Sequence, residues 1–141
     1  MTSRRRVLFV CTGNRARSQM AEGLLRDLAG DRLEVYSAGT IPSGISEYTI
    51  EAMREIGIDV SGQRSKSVDE FAGQEFDYVI TVCDSARQVC PVFPGEGERL
   101  HWDIEDPSDI ETRGLALADA FRIARDELRK RIELFVHEHY A

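Results

Sequence analysis

The sequence has no long apolar run, and this absence argues against a membrane-spanning segment. Its longest uninterrupted apolar stretch, residues 7–11, falls far short of the roughly 18 residues that a spanning helix needs. The first residues include arginines but no apolar stretch followed by a small-residue cleavage site, so no export signal is indicated. We therefore expect a cytoplasmic protein that does not bind membranes.

Cysteine is scarce, since the chain has only three: Cys11, Cys83 and Cys90. An odd number cannot pair off completely, and a chain without an export signal is expected to keep its thiols reduced, which points to chemical rather than framework roles. A structural zinc site prefers four Cys or His ligands in close pairs, and the spacing of Cys83 and Cys90 does not match. We expect no metal and no cofactor.

Positive charge is in short supply, because 18 basic residues face 25 acidic ones and the net charge is −7. This balance disfavours a general surface for nucleic acid or for anionic membranes. The distribution is uneven: residues 1–35 hold seven arginines against four acidic residues, a net charge of +3, and the rest of the chain carries −10. Any anion site should therefore lie in the first quarter of the sequence.

The remaining composition is typical of a folded domain. The chain has 141 residues, of which 42% are hydrophobic and 30% charged. At roughly 100 to 200 residues per domain, this length predicts one domain over residues 1–141.

Hydrophobic periodicity predicts that strands alternate with helices. We expect strands at 7–10, 33–37, 76–82 and 99–102, and helices at 18–29, 46–56, a short stretch from Ser67, and 112–137. Strands that alternate with helices form a parallel sheet with right-handed crossovers. The expected fold class is α/β, with a four-stranded parallel sheet flanked by helices on both faces.

Chemically active residues follow three of the four predicted strands. Cys11 follows the first strand, Cys83 the third, and Asp106 comes shortly after the fourth. Ligands of parallel sheets bind beyond the carboxyl ends of the strands. We therefore expect these residues to meet at one edge of the sheet.

The first of these positions opens a C-x5-R-S loop between a strand and a helix. The loop consists of Cys11, Thr12, Gly13, Asn14, Arg15, Ala16, Arg17 and Ser18. A tight loop that leads into a helix supplies backbone N–H groups and the positive end of the helix dipole to a tetrahedral oxyanion. The guanidinium of Arg17 adds a planar fork that binds two oxyanion oxygens at once.

The same field favours the thiolate form of Cys11, which makes it a candidate nucleophile. Gly13 and Asn14 both tolerate the left-handed backbone that a loop around an anion requires. Ser18 has two possible roles: it caps the helix, or it hydrogen-bonds the thiolate.

These residues resemble the low-molecular-weight tyrosine phosphatase superfamily, and specifically its arsenate reductase branch. The shared motifs cover nearly the whole chain and occur in the family's order: CTGNRARSQMAEG at 11–23, SAGT at 37–40, ITVCDSARQVCPVFPG at 80–95, and HW at 101–102 followed by DP at 106–107. The resemblance implies Cys11 as nucleophile, Arg17 as oxyanion binder and Asp106 as general acid. It implies arsenate as substrate, with phosphate or sulfate as mimics.

The resemblance also implies a relay of three thiols that reduces arsenate to arsenite. Cys83 attacks the Cys11 sulfur as arsenite leaves, and Cys90 then attacks Cys83. The final disulfide is reduced by an external dithiol such as thioredoxin. Glutaredoxin with glutathione, and mycothiol systems, are the other donors that fit a thiol relay.

Two other functions stay open. A low-molecular-weight protein tyrosine phosphatase would use Cys11, Arg17 and Asp106 alone. Such phosphatases usually have proline after the Arg-Ser pair and aromatic residues after Asp-Pro, where this chain has Gln19 and Ser108. A non-catalytic thiol sensor would bind its ligand without turnover.

Departures from the branch concern the loop and its surroundings. Reductases of this type often have Ser and Cys in place of Arg15 and Ala16, and Arg15 either strengthens anion binding or faces solvent. Some relatives bind potassium beside the loop, through residues that correspond to Asn14, Glu22 and Ser37. Because Arg64 and Lys66 replace other ligands of that ion, the resemblance implies that a lysine ammonium stands in for it.

Overall fold

Strands and helices alternate along the chain in this computed structural model, which describes residues 5–84, 93, 95–108 and 116–140. The strands are β1 (Arg5–Cys11), β2 (Leu33–Gly39), β3 (Tyr78–Cys83) and β4 (Glu98–Asp103). The helices are α1 (Arg17–Ala29), α2 (Glu47–Arg54) and α3 (Leu117–Tyr140), with a 310 helix at Val68–Phe71.

The four strands form one parallel sheet in the order β2-β1-β3-β4. Val7 of β1 pairs with Val35 on one side and Tyr78 on the other, and Cys83 pairs with Asp103 at the far end. The predicted parallel sheet is therefore confirmed. Because the chain leaves β1 for one side of the sheet and later returns to its other side, the carboxyl ends of β1 and β3 flank the crevice where such sheets bind ligands.

The two faces of the sheet bury separate apolar clusters. On one face, alternate strand residues such as Val7, Phe9 and Ile80 pack against α1, α2 and α3. On the other face, Leu8 and Val10 pack against the 310 helix and its aromatic neighbours. Helical segments thus cover both faces, as expected, and the three α-helices share one of them.

Boundaries differ from the predicted ones at several points. The last helix begins at Leu117 instead of residue 112 and ends at Tyr140; Ala116 lies outside it, and residues 109–115 lie outside the described part of the chain. The apolar stripe that predicted this helix itself starts at Leu117. Strand β2 continues to Gly39, since Ala38 is buried and Gly39 pairs with Cys11. Among the described helices, none combines the length and the apolarity needed to cross a membrane.

A charged cluster joins the end of α2 to α3. The carboxylate of Glu55 accepts hydrogen bonds from Arg122 at 2.7 Å and from Arg125 at 2.8 Å. Hydrogen bonds from Arg122 and then Arg125 lower the pKa of Glu55 from its ordinary value of 4.5 to about 2. Arg125 is itself buried and also donates to the carbonyl of Ala52 at 2.8 Å. The cluster therefore ties the C-terminus of α2 to the long helix.

We expect Glu55→Gln to lower the thermal midpoint at neutral pH, since it removes an ionised acceptor from two guanidinium groups. A depressed carboxyl pKa stabilises the fold above the unfolded-state pKa, near 4.5, and this contribution is lost as the pH falls toward about 2. Thermal unfolding followed by circular dichroism should therefore show a gap between the thermal midpoints of the unchanged protein and Glu55→Gln, and this gap should narrow below about pH 4.5. Glu51→Gln serves as control, because Glu51 is an exposed carboxylate that pairs with Arg54 on the surface of α2. A gap that stays constant down to about pH 2 would contradict the assignment.

Gly23 allows α1 to lie close to the segment that follows α2. A Cβ atom added there would approach Cγ1 of Val60 to 2.7 Å and Cε of Met53 to 3.2 Å. In an open helix, Gly→Ala gains about 1 kcal/mol, but overpacking a core costs about 1 to 3 kcal/mol. Because the added Cβ would contact the branched side chain of Val60, we expect the packing cost to exceed the gain in helix propensity.

We expect Gly23→Ala to lower the free energy of unfolding by about 1 to 2 kcal/mol in urea titrations. Gly62→Ala is the matched control, because nothing lies within 4 Å of an added Cβ there, and its change should stay within about 0.5 kcal/mol. Equal or greater stability of the Gly23→Ala variant would show that α1 and the segment that follows α2 can separate at little cost.

Candidate active site

The predicted loop lies where β1 passes into α1. Cys11 ends β1 and Arg17 begins α1, so residues 12–16 turn at the carboxyl edge of the sheet. A cavity of about 370 Å³ opens beside the loop. It is lined by Cys11, Thr12, Gly13, Arg15, Ala16, Arg17, Ser43, Asp106 and Ser108. The structure therefore brings the loop and the predicted general acid to one cavity.

The loop holds its carbonyl groups against neighbouring segments. Carbonyl oxygens of residues 11–13 and 15 accept hydrogen bonds from N–H groups of segment 40–46, at 2.8 to 3.3 Å. The carbonyl of Asn14 accepts from Nε2 of Gln19 at 3.2 Å. A tight loop whose carbonyls are bonded in this way presents its N–H side to the cavity, which is the arrangement that binds anions.

Gly39 lets β2 approach the loop closely. A Cβ atom at this position would lie 2.5 Å from the carbonyl oxygen of Thr12 and 2.8 Å from the backbone nitrogen of Asn14. Both are backbone atoms, which cannot turn aside like a flexible side chain. Glycine is therefore required where the strand supports the loop.

Cys11 is a free thiol, and only 3% of the residue is exposed. Its sulfur lies 2.7 Å from Oγ of Ser18 and accepts the N–H of Asn14 at 3.2 Å. Helix α1 begins one residue before Ser18, with Ala16 as N-cap and no side-chain capping bond. Of the two roles considered for Ser18, the structure therefore supports the contact with sulfur.

Arg17 and Asp106 form an ion pair in the lining of the cavity. Arg17 is buried, and its Nη1 donates to the carbonyl of Ile104 at 3.0 Å. Its Nη2 lies 3.6 Å from Oδ2 of Asp106. The Asp106 side chain is half-exposed, and its Oδ1 accepts the N–H of Ser108 at 2.9 Å. The carboxyl group is thus held at the rim while the guanidinium is fixed inside.

Arg15 lies at the mouth of the same cavity. Its side chain is exposed, and Nη1 donates to the carbonyls of Ser43 and Gly44 at 3.1 and 3.4 Å. Of the two alternatives for Arg15, the structure shows features of both, because the side chain is exposed to solvent and also lines the cavity. It adds a second positive charge to the approach of an anion.

Cys83, the second cysteine, lies outside this cavity. Cys83 ends β3, is fully buried and is disulfide-bonded. Because β1 and β3 are neighbours, Cys11 and Cys83 reach the same edge of the sheet. Cys83 does not line the described cavity beside Cys11. Cys90, the third predicted site residue, lies outside the described residues.

A buried polar network supports the loop from behind, and Asn14 is its centre. Asn14 adopts a left-handed conformation with a φ of 45°, as expected, and is fully buried. Its Nδ2 donates to Ser18 at 2.8 Å and to Ser37 at 2.9 Å. Its Oδ1 accepts from Gln19 and from the backbone N–H of Lys66, both at 2.8 Å.

Sequence reasoning did not assign a role to Gln19. Its Nε2 also donates to the carbonyl of Arg64 at 3.0 Å, and its Oε1 accepts from Gln63 at 2.7 Å. No periodicity or spacing signals such a residue, because a glutamine in a helix is ordinarily exposed. The only available signal was its place directly after the Arg-Ser pair.

The surroundings of Glu22 do not fit a bound potassium ion. The ammonium of Lys66 lies 3.5 Å from Oε1 of Glu22 and donates to the carbonyl of Arg64 at 2.6 Å. Arg26 pairs with the other carboxylate oxygen at 2.7 Å. Positive charge is thus already present where the ion of some relatives would lie, and a second cation beside the ammonium would be repelled.

Comparison with known proteins places the chain among phosphatase-like folds. The family model for low molecular weight phosphotyrosine protein phosphatase matches residues 6–139. An arsenate reductase of Halalkalibacterium halodurans is 44% identical over 129 residues, which cover 92% of this chain and 93% of that protein.

Solved structures agree with this similarity. An arsenate reductase in the phosphate-binding state superposes with a TM-score of 0.80 at 33% identity, over 95% of this chain and 98% of that chain. A thioredoxin-dependent arsenate reductase of Corynebacterium glutamicum superposes with a TM-score of 0.64 at 32% identity, over 95% of this chain and 64% of that chain.

The contact between Ser18 and Cys11 predicts the reactivity of the thiol. A hydrogen bond to a charged group is worth about 1.5 to 3 kcal/mol, so we expect Ser18→Ala to slow alkylation of Cys11 by roughly tenfold at about pH 6. Peptide mass spectrometry of iodoacetamide-treated, fully reduced protein measures the rate at this cysteine alone.

Ser61→Ala is the matched control for this experiment. Ser61 lies on the surface and bonds only its neighbour Asp59 in the described contacts, so its loss should leave alkylation unchanged. If Ser18→Ala alkylates at the rate of the unchanged protein, the 2.7 Å contact does not stabilise the thiolate.

Proposed function

We propose that this protein, which belongs to the low molecular weight phosphotyrosine protein phosphatase family, is an arsenate reductase. The observation that carries the proposal is the combination of a free thiol at an anion cavity with a disulfide-bonded cysteine at the end of the adjacent strand. A phosphatase needs the first of these but has no use for the second. The 44% identity to an arsenate reductase supports the same choice.

The cavity provides positive charge for a tetrahedral dianion. Arsenate and its mimics phosphate and sulfate would lie against the N–H side of the loop, with two oxygens on the Arg17 guanidinium. Arg17 is held by the carbonyl of Ile104 and so loses little freedom when the anion binds. Arg15 adds long-range attraction at the entrance.

The first chemical step joins Cys11 to arsenic. The Cys11 thiolate attacks arsenic, a sulfur–arsenic bond forms, and one oxygen leaves as water after taking a proton from the carboxyl group of Asp106. Oδ2 of Asp106 lies 3.6 Å from the buried guanidinium, on the cavity rim where a leaving oxygen would point. Arsenic remains in its oxidised state at this stage.

Reduction follows when a second thiol attacks the Cys11 sulfur. Cys83 forms a disulfide with Cys11, the electron pair of the sulfur–arsenic bond passes to arsenic, and arsenite leaves. Cys90 then attacks Cys83 and releases Cys11 as a thiolate. Two thiols are oxidised to one disulfide, which accounts for the two electrons that arsenic gains. A disulfide at Cys83 together with a free Cys11 matches the state reached after the last of these reaction steps.

An external dithiol must reduce that disulfide before the next cycle. We propose thioredoxin, because the similar Corynebacterium glutamicum protein is thioredoxin-dependent. Thioredoxin systems operate in the reducing cytoplasm, where the proposed reaction would take place. Glutaredoxin with glutathione and mycothiol are the donors to try next.

The lining of the cavity bears on the phosphatase alternative. Among its described lining residues, none is aromatic, and Ser108 stands where phosphotyrosine phosphatases usually have an aromatic residue. Stacking of an aryl ester would therefore lack its usual partner. This favours a small inorganic oxyanion as the substrate.

The test measures NADPH oxidation with arsenate, thioredoxin and thioredoxin reductase, beside hydrolysis of an aryl phosphate by the same preparation. We expect arsenate-dependent NADPH oxidation, and its loss by at least about 100-fold in Cys11→Ser, Cys83→Ser and Cys90→Ser. The Cys83→Ser variant should still alkylate at Cys11 and bind one arsenate covalently, which separates loss of the relay from loss of the fold.

Each other outcome contradicts part of the proposal. Normal turnover by Cys83→Ser would exclude the relay while leaving a reductase. Rapid aryl phosphate hydrolysis with no NADPH oxidation by any of the three donor systems would identify a phosphatase. Stoichiometric arsenic binding without turnover of either substrate would identify a sensor.

A further inference from the structure

We propose that Lys66 is a positioning residue for the nucleophile: its buried ammonium neutralises Glu22, the carboxylate that ends a hydrogen-bond chain leading to Cys11. The role assigned to Cys11 rests on the proposed function, but the contacts do not. Lys66 touches neither the thiol nor the cavity beside it. Its influence would pass through four intervening side chains.

Both charged partners are buried. Glu22 is 3% exposed and Lys66 is 9% exposed. Burial lowers the pKa of Lys66, and the charge of Glu22 acts in the opposite direction. A buried carboxylate without a cation is costly, so the two charges depend on each other.

Two further cations lie near the pair. Arg26 binds Oε2 of Glu22, but its side chain is 48% exposed and its charge is therefore screened by solvent. Arg64 offers Lys66 its carbonyl oxygen, while its guanidinium pairs with Glu70. The Oε1 atom, which accepts the hydroxyl of Ser37, faces Lys66. Lys66 is thus the buried cation next to the Glu22 oxygen at which the hydrogen-bond chain ends.

Proton directions along the chain follow from groups that can only donate or only accept. The backbone N–H of Lys66 can only donate, so the Asn14 atom that faces it is Oδ1. The Nδ2 group of Asn14 must then donate to both hydroxyls that it contacts. Ser37 accepts there, and it gives its single proton to the ionised Glu22.

From Asn14, the hydrogen-bond chain also runs through Ser18 to the Cys11 sulfur. Because Ser18 accepts from Asn14, its own proton is directed at the Cys11 sulfur 2.7 Å away. A carboxylate at the far end is therefore part of the arrangement that stabilises the thiolate. The same carboxylate is also a negative charge behind an anion site, and it disfavours both thiolate and bound oxyanion unless a cation neutralises it.

This double role predicts the direction in which removing the charge of Lys66 changes the reactivity of Cys11 and the binding of phosphate. We expect Lys66→Met to slow alkylation of Cys11 about fivefold at about pH 6, and to raise the phosphate concentration needed to protect Cys11 by a similar factor. Lys66→Arg should restore both values to within about twofold. Lys130→Met, which removes the chain's other lysine from the exposed surface of α3, should change neither.

The double variant Lys66→Met/Glu22→Gln separates charge from packing. If Lys66 acts by neutralising Glu22, removing both charges should bring the alkylation rate back to within about threefold of the unchanged protein. If Lys66 only fills space, removing the charge of Glu22 should bring no recovery, and the double variant should alkylate no faster than Lys66→Met. That result would overturn the proposal.

Two safeguards keep the test decisive. If Lys66→Met does not fold, Glu22→Gln is compared with the double variant. In this background, which lacks the Glu22 charge, loss of Lys66 must slow alkylation by less than about twofold. A larger decrease in the alkylation rate overturns the proposal. The readout is alkylation and phosphate protection of the full chain, with no arsenate present. Failure of arsenate reduction would therefore leave this result standing, and failure here would leave the reductase proposal standing.

Discussion

The carbonyl groups of residues 11–15 all need hydrogen-bond donors away from the anion, and much of the structure follows from this need. An anion-binding loop turns its N–H groups to one side, which forces its carbonyls to the other side, where other segments must supply their donors. Segment 40–46 supplies most of the donors, and Gln19 supplies one more. Gly39 brings that segment close enough, since any side chain there would collide with the loop backbone.

A polar interior is the second consequence of this loop. Asn14 must hold a left-handed backbone while buried, so each of its side-chain atoms needs a partner. Those partners are the hydroxyls of Ser18 and Ser37, the side-chain amide of Gln19 and the backbone N–H of Lys66. They in turn need Glu22 and then Lys66. The left-handed turn at Asn14 is therefore linked to a buried ion pair. Removing either charge of that pair would lower the free energy of unfolding by a few kcal/mol.

The parallel sheet explains how this site extends to redox chemistry. A loop with a buried thiol and a fixed guanidinium can bind and attack any tetrahedral oxyanion, and this chemistry is common to phosphatases and arsenate reductases. The next strand in the sheet ends in Cys83 at the same edge. Placing a second sulfur on the strand beside the nucleophile is a small change in sequence. In the proposed reaction it changes the outcome from hydrolysis to the transfer of two electrons.

The sequence by itself determined the elements and the chemistry of the loop. The parallel sheet, the loop with Cys11 and Arg17, and the arrival of Asp106 at its cavity were all predictable, because period and strand-end position are local properties that a parallel sheet converts into one shared edge. The ends of the last helix were less so, since its start at Leu117 depends on which residues find a core to pack against. Only the tertiary structure decided that Ser18 faces the sulfur, that Gln19 holds Asn14, and that Lys66, which the resemblance already placed near this site, contacts Glu22 directly. The physical reason is that a buried polar side chain takes its role from partners distant in sequence, and these meet only once the sheet and helices have packed.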